Sequence, residues 1–178
     1  MSELDFLHSL LSLHNDVLDK IMIFFTNLGD MGILWIVIAI ILLFMKKTRK
    51  CGIMMIISMG IGLIVGNGII KNWIQRPRPY WIDSSLPLLI PELKDYSFPS
   101  GHTLACFEAA VMIFLHNKKW GIAALVVSLI IAFSRMYLFV HFPTDVLGGA
   151  ILGTIISIVV YYTYEIVKNS KTKKGEAK

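Results

Sequence analysis

GIMMIISMGIGLIVGNGIIKNWI, residues 52–74, decides what kind of molecule this is. No charged residue interrupts it between Gly52 and Ile70. The hydrocarbon core of a bilayer takes about 20 apolar residues of helix, so the stretch reads as a membrane span. Gly62 and Gly66, four residues apart, form a small-residue stripe that lets a second helix approach closely. The stretch ends in Lys71-Asn-Trp-Ile-Gln-Arg-Pro-Arg78-Pro79, a concentration of cations at a span end.

Working outward, the rest of the chain has the same character. ILWIVIAIILLFM (33–45) is a short span that stops at KKTRK (46–50). A helix resumes at Ser100 or Gly101, runs to about Leu115, and meets the basic turn HNKK (116–119). WGIAALVVSLIIAFSRMYL (120–138) and TDVLGGAILGTIISIVVYYTYEIV (144–167) are two further spans. The turn FVHFP (139–143) separates them, and its Pro143 suits a first helical position. Of 178 residues, 56% are hydrophobic and 16% charged, more apolar surface than a soluble domain of this length can bury. The expectation is an all-α polytopic membrane helix bundle with five transmembrane helices. A sixth span, with the N-terminus inside, is the alternative.

Residues 3–28 are more mixed. Asn15, Asp16, Asp19 and Lys20 interrupt the apolar pattern, and a charge at the bilayer centre costs about 2.5–3.5 kcal/mol. They read as an N-terminal interfacial amphipathic helix over about 3–13, then a half-buried helix over about 16–28, before a break at Gly29-Asp-Met-Gly32. The start MSELDF is acidic and lacks an apolar run, so no cleavable leader is expected. The organisation expected is residues 1–30 as N-terminal helices, 31–168 as the membrane domain and 169–178 as a basic cytoplasmic tail.

The net charge of +5 is a topology signal, because the basic residues cluster at the ends of apolar runs. Nucleic-acid binding is not expected. The turns at 46–50 and 118–119 and the tail from 168 hold 11 of the 17 Lys and Arg residues, which assigns them to the cytoplasm. The long loop 75–98, rich in proline, and the turn 139–143 then face outward. Lys20, Lys71, Arg76, Arg78, Lys94 and Arg135 run against the bias. Cations on that side call for an anion. Cys51 and Cys106 belong near opposite faces, so no disulfide is expected, and no Cys/His spacing suits zinc.

Three pieces meet on the outward surface: Lys71 to Arg78, then Pro99-Ser100-Gly101-His102, then Ser134-Arg135 with His141 and Asp145. Lys71 offers a point charge, and Arg78 and Arg135 each offer a planar fork of donors. Ser100 adds a hydroxyl, Gly101 a close backbone N–H, and the helix start after Pro99 the positive end of a dipole. A carboxylate at Asp145 can fix the tautomer of His141 and leave its other nitrogen free to attack. His102 can protonate a departing oxygen. Arg76 reads as a loop charge or headgroup contact. His8, His14 and His116 read as interfacial residues without chemistry, and Trp73, Tyr80, Trp81 and Trp120 as interfacial aromatics. Glu108, inside a span about two turns below His102, either serves the site or pairs with a neighbouring helix. Asn67, one turn below Lys71, is placed to support it.

The pattern Lys-x6-Arg-Pro, Pro-Ser-Gly-His and Ser-Arg-x5-His-x3-Asp, from Lys71 to Asp145, resembles the type 2 phosphatidic acid phosphatase superfamily and departs from it at no motif position. The resemblance implies a metal-independent phosphohydrolase with no cofactor, working through a phosphohistidine. It implies His141 as nucleophile, Asp145 as its partner and His102 as acid and then base, with Lys71, Arg78, Ser100, Gly101 and Arg135 on the phosphoryl oxygens. The expected substrate is a lipid phosphate or pyrophosphate at the extracytoplasmic face of the cell membrane. The small size and the turn Phe142-Pro-Thr-Asp145 resemble the undecaprenyl-pyrophosphate phosphatase type. Phosphatidylglycerophosphate or phosphatidate is the alternative substrate, and an anion or lipid transporter the alternative class.

Overall fold

The computed structural model describes residues 2–176, with side chains through Ser170. Most of the tail assigned to the cytoplasm therefore lies outside the described side chains. The described residues are helical and contain no strand.

Helix α1 (Glu3–Leu11) opens with a capping box, in which Ser2 Oγ accepts from Asp5 N–H and Asp5 accepts from Ser2 N–H. Helix α2 (Asp16–Leu28) is capped by Asn15. A short 3-10 turn, Asp30–Gly32, joins it to α3 (Ile33–Phe44). Met31 and Gly32 both adopt positive φ there, and the chain bends by 44° between α2 and the segment Asp30–Phe44. The sequence break at Gly29–Gly32 is thus a corner that presents Asp30 at its apex.

Helix α4 (Arg49–Gly62) continues without interruption through a π-helical stretch, Leu63–Ile70, into α5 (Lys71–Ile74). Wider π turns re-aim the residues that follow and recur at functional sites; here Asn67 and Lys71 both reach one cavity. Gln75 at positive φ ends this rod. Pro79 then starts the single turn α6 (Pro79–Ile82), inside what the sequence reads as one continuous loop.

Helix α7 (Gly101–His116) is the hub, packed against α4, α8 (Lys118–Tyr137) and α9 (Pro143–Glu176). Leu104, Cys106, Ala109, Ala110 and Met112 of α7 are buried in one core cluster with Trp35 and Met55. Close packing follows from glycine: a Cβ on Gly66 would overlap Leu104, and one on Gly62 would overlap the Glu108 carboxyl. Gly153 of α9 likewise lies against the α7 backbone. Cys51 and Cys106 are both buried free thiols.

By length and composition three helices suffice to cross a membrane: Arg49–Ile82, Lys118–Tyr137 and Pro143–Ser170. The bent α2–α3 pair makes a fourth if it counts as one span. Helix α7, shorter, is sheathed by its neighbours and needs no lipid-facing surface of its own. Outside, Ile40, Ile57, Leu63, Val126, Leu129 and Ile155 form part of an exposed apolar belt suited to lipid. The N-terminal helices do more than rest on a surface. Leu7, Leu10 and Met22 are buried with Tyr80, Tyr137 and Phe139 in a second cluster, which clamps the loops at one end of the bundle.

Candidate active site

The three charged pieces converge at that end. Lys71, Arg78, Gly101, His102, Arg135 and His141 line one cavity of about 620 Å³. Each sits in a helix end or in the turn beside one. The α8 C-terminus wraps tightly, with Val140 and His141 N–H both donating to Arg135 O and Phe139 at positive φ. That wrap ties the His141 backbone to that of Arg135. The loop before α7 is tied to the start of α9, where Ser100 N–H donates to Asp145 O, and to the α5–α6 connection, where Ser97 N–H donates to Arg76 O.

His141 is almost completely buried. Arg78 Nη1 lies 3.2 Å from its Nε2. A guanidinium only donates, so Nε2 carries the lone pair and the proton resides on Nδ1. Burial first, and then the Arg78, Arg135 and Lys71 charges, hold this imidazole neutral well below the usual histidine range. On the other side of the ring, Nδ1 is 3.6 Å from Asp145 Oδ2, beyond direct hydrogen-bond reach. Ser97 stands between them: its Oγ donates to Asp145 Oδ2 at 2.5 Å and lies 3.4 Å from His141 Nδ1. The direct His141–Asp145 hydrogen bond expected from the four-residue spacing is therefore replaced by a hydroxyl bridge. Ser97 carried no signal of its own, being one serine in a polar loop.

Asp145 is fully buried and well compensated, accepting also from Phe142 N–H (2.8 Å) and Arg76 Nη1 (2.6 Å). Arg76 is thus not a loop charge or headgroup contact. It bridges Asp145 to Glu3 of α1, whose Oε2 accepts from Nη2 at 2.6 Å, and stacks over the Phe142 ring. Glu3 in turn accepts from Thr144 N–H and Oγ1. The sequence hid this bracket because its two ends are 73 residues apart.

His102 Nε2 meets Asp30 Oδ1 at 2.8 Å. Gly29 makes the approach possible, since a Cβ there would stand 2.8 Å from the His102 ring. Arg135, also from the motif, is buried and donates from Nη1 to Thr26 of α2. Its Nε and Nη2 have no partner among the described residues. Asp30 and Thr26 lie in the N-terminal stretch outside the motif region, which gave no reason to suspect them.

Ser100 is placed differently from the expectation. It is fully buried as the N-cap of α7, accepting from Thr103 N–H and Oγ1, and does not line the cavity. Its contribution is to hold the helix start. Gly101 does line it, with Asn67 Oδ1 only 2.9 Å from where a Cβ would lie. Asp95, unremarked in the sequence, accepts from Lys71 Nζ and from Arg78 Nη2, both at 2.6 Å. Burial would raise its carboxyl, but those two cations hold it at about 2.

From this charged end the cavity runs inward along Ile36, Ile40, Ile56, Met59 and Leu63, between α3 and α4. Glu108 lies among its lining, buried, with Oε1 unpartnered. Among the described residues, no three His, Cys, Asp or Glu side chains are grouped to hold a metal ion.

A cavity with one cationic end, one buried neutral imidazole and an apolar channel is suited to an amphiphilic anion. Comparison with known proteins agrees. A family model described as the PAP2 superfamily matches residues 47–168. The undecaprenyl-diphosphatase of Sulfolobus acidocaldarius is 36% identical over 89% of this chain and 75% of its own. Undecaprenyl-diphosphatase BcrC of Bacillus subtilis is 33% identical over 92% of this chain and 91% of its own. The crystal structure of a PAP2-type phosphatidylglycerolphosphate phosphatase from Bacillus subtilis superposes with a TM-score of 0.76 at 28% identity, covering 93% of this chain and 85% of that one.

Proposed function

Since the chain belongs to the PAP2 superfamily, we propose that it hydrolyses undecaprenyl pyrophosphate to undecaprenyl phosphate and inorganic phosphate through a phosphohistidine at His141. The membership itself makes it a membrane hydrolase of the phosphatase and diphosphatase type. The observation that carries the finer reading is that Arg135, with its buried Nε and Nη2 unpartnered among the described residues, lines the same cavity as the neutral His141. Buried guanidinium donors without partners are costly, and a phosphoryl group satisfies them.

In the proposed reaction the terminal phosphoryl oxygens sit on Lys71, Arg78, Arg135 and the N–H groups at the start of α7. His141 Nε2 attacks the phosphorus, a P–N bond forms, and the bond to the bridging oxygen breaks. His102, held by Asp30, gives its proton to that oxygen as undecaprenyl phosphate leaves. His102 then takes a proton from water, whose oxygen attacks phosphorus and releases His141 and inorganic phosphate. Asp145, through Ser97, stabilises the positive charge that His141 carries in the intermediate. Phosphoryl transfer depends chiefly on positioning and charge, and three cations meet that need without a metal ion.

The topology that fits this role has five crossings: α3, the α4–α5 rod, α7, α8 and α9. The basic turns and tail face the cytoplasm, and the site opens at headgroup level on the extracytoplasmic face of the cell membrane. The lipid tail lies along the apolar channel between α3 and α4. Two relatives named undecaprenyl-diphosphatase favour the prenyl substrate. The likeness to a phosphatidylglycerolphosphate phosphatase keeps glycerophospholipids as the second reading.

The test is phosphate release by purified protein from undecaprenyl pyrophosphate, phosphatidylglycerophosphate and phosphatidate compared side by side. The prenyl substrate should have the highest kcat/KM, and His141→Ala should abolish turnover. A preference for either glycerolipid reassigns the substrate. No release from any of the three rejects all of these substrates.

A further inference from the structure

We propose that Asp95 is a built-in anion that fills part of the phosphoryl seat in the empty enzyme and is displaced by the substrate. The inference rests on the reading above, that Lys71, Arg78 and Arg135 bind phosphoryl oxygens.

The geometry is that of a carboxylate bound as a ligand. The Lys71 and Arg78 side chains are 7% and 1% exposed, whereas that of Asp95 is 55% exposed. A loop residue thus reaches inward to place one oxygen on each buried cation, at 2.6 Å in both cases. With its carboxyl held at about 2, it is charged at any physiological pH.

Its side chain is not required to hold Arg78. That guanidinium is already fixed by main-chain carbonyls: Nε to Asp95 O at 2.7 Å, Nη1 to Val140 O at 2.8 Å and Nη2 to Tyr96 O at 3.3 Å. The carboxylate occupies the face of Arg78 left over after those bonds are made.

It also fills the seat incompletely. A planar carboxylate has two oxygens and takes two cations. Arg135 lines the same cavity and keeps Nε and Nη2 without partners among the described residues. A phosphoryl group has three oxygens in a tetrahedral array and meets all three cations. The third contact, with the greater charge, lets phosphate displace Asp95 where a planar anion gains little. After hydrolysis the same carboxylate competes with inorganic phosphate and speeds its departure. Asp95 therefore sets the affinity of the seat for every anion that enters it.

Product inhibition tests this on the full-length protein in detergent, with farnesyl pyrophosphate as a soluble substrate and inorganic phosphate as the probe. Asp95→Asn keeps the size and the backbone bond to Arg78 but loses the charge. Its inhibition constant for phosphate should fall about tenfold, as expected for loss of a competing charge-assisted contact, and KM should fall with it. An unchanged or higher constant in Asp95→Asn overturns the proposal and makes Asp95 a partner that orients Lys71. Wild-type protein that neither hydrolyses the substrate nor binds phosphate instead defeats the underlying reading of the site.

A second measurement needs no change at Asp95. Tyr96 packs edge-on against Trp81, ring centres 6.2 Å apart. Saturating phosphate should alter tryptophan emission in the wild type and not in Trp81→Phe. Constant emission across a titration that saturates inhibition also overturns the displacement.

Discussion

Arg78 Nη1 and His141 Nε2 face each other at 3.2 Å, donor to lone pair, and the same Nη1 donates to Val140 O at 2.8 Å. An arginine is thus aimed at the atom proposed to attack phosphorus. It fixes the tautomer from the front, while Ser97 and Asp145 support the ring from behind. In the Michaelis complex the same N–H can turn to a phosphoryl oxygen, so one guanidinium holds both reaction partners.

The first consequence is a pH profile. Burial, followed by the charges of Arg78, Arg135 and Lys71, depresses the His141 imidazole well below 6.5. The nucleophile stays unprotonated there, so its acid limb in kcat/KM should fall well below pH 6.5. Lys71→Met removes one of the repelling charges and should move that limb upward. The same depression makes the unfolded chain bind a proton that the folded one refuses. Stability should therefore be constant above the ordinary histidine range of about 6.5 and decline as pH falls below it. Initial rates and thermal unfolding across pH check both.

The Ser97 bridge predicts a graded series. Ser97→Ala removes the hydroxyl between His141 and Asp145 and should lower kcat by about 10- to 100-fold, leaving KM little changed, in line with the loss of one group that orients a catalytic nucleophile. Asp145→Asn should lower it further, because the imidazolium charge then lacks its counter-charge. Equal activity in Ser97→Ala and wild type would mean that Asp145 acts on His141 without the bridge.

Asp30 predicts a dependence on the leaving group. Asp30→Asn loosens the orientation of His102, whose proton matters most when the departing oxygen is a poor leaving group. The loss in kcat should be about 100-fold on phosphatidate and much smaller on p-nitrophenyl phosphate. Gly29→Ala, which places a methyl against the His102 ring, should reproduce the pattern. Equal losses on both substrates would indicate a purely structural effect.

Arg76 predicts a change in stability. Arg76→Met strips the buried Asp145 of one partner and frees Glu3, and should destabilise the protein by about 3 kcal/mol, the range for breaking a buried ion pair from one side. Glu3→Gln, at a more exposed position, should cost far less. Thermal unfolding in detergent distinguishes them.

Turnover should persist in millimolar EDTA, and orthovanadate should inhibit at millimolar concentration or below, because vanadate adopts the five-coordinate geometry of the reacting phosphorus. Complete loss with EDTA, reversed by a divalent cation, would place a metal in the reaction.

Much of this was legible in the chain because the chemistry is local. Lys71, Arg78, His102, Arg135, His141 and Asp145 stand at the ends of apolar runs opposite the basic turns, where the positive-inside bias gives cations no reason to gather, and their spacing from a span end brings them to one face. Ser100 carried the same signal, yet its hydroxyl turned to Thr103 because an N-cap satisfies the helix start first. Asp30, Ser97, Asp95, Thr26 and Glu3 carried no signal. Thr26 is one small polar residue in the apolar part of α2, and the others lie in polar or broken segments, where period and motif are silent.

The sequence alone determined that this protein is a helical bundle with a second group of cations at the span ends opposite its basic turns. That follows from apolar length and charge placement, which act residue by residue. Only the tertiary structure decided which groups complete the site: the corner at Gly29–Gly32 that brings Asp30 to His102, the hydroxyl between His141 and Asp145, and the carboxylate resting on Lys71 and Arg78. Those pairings join residues far apart in the chain. They form because helices that pack through glycine leave buried charges that must find a partner wherever the fold delivers one.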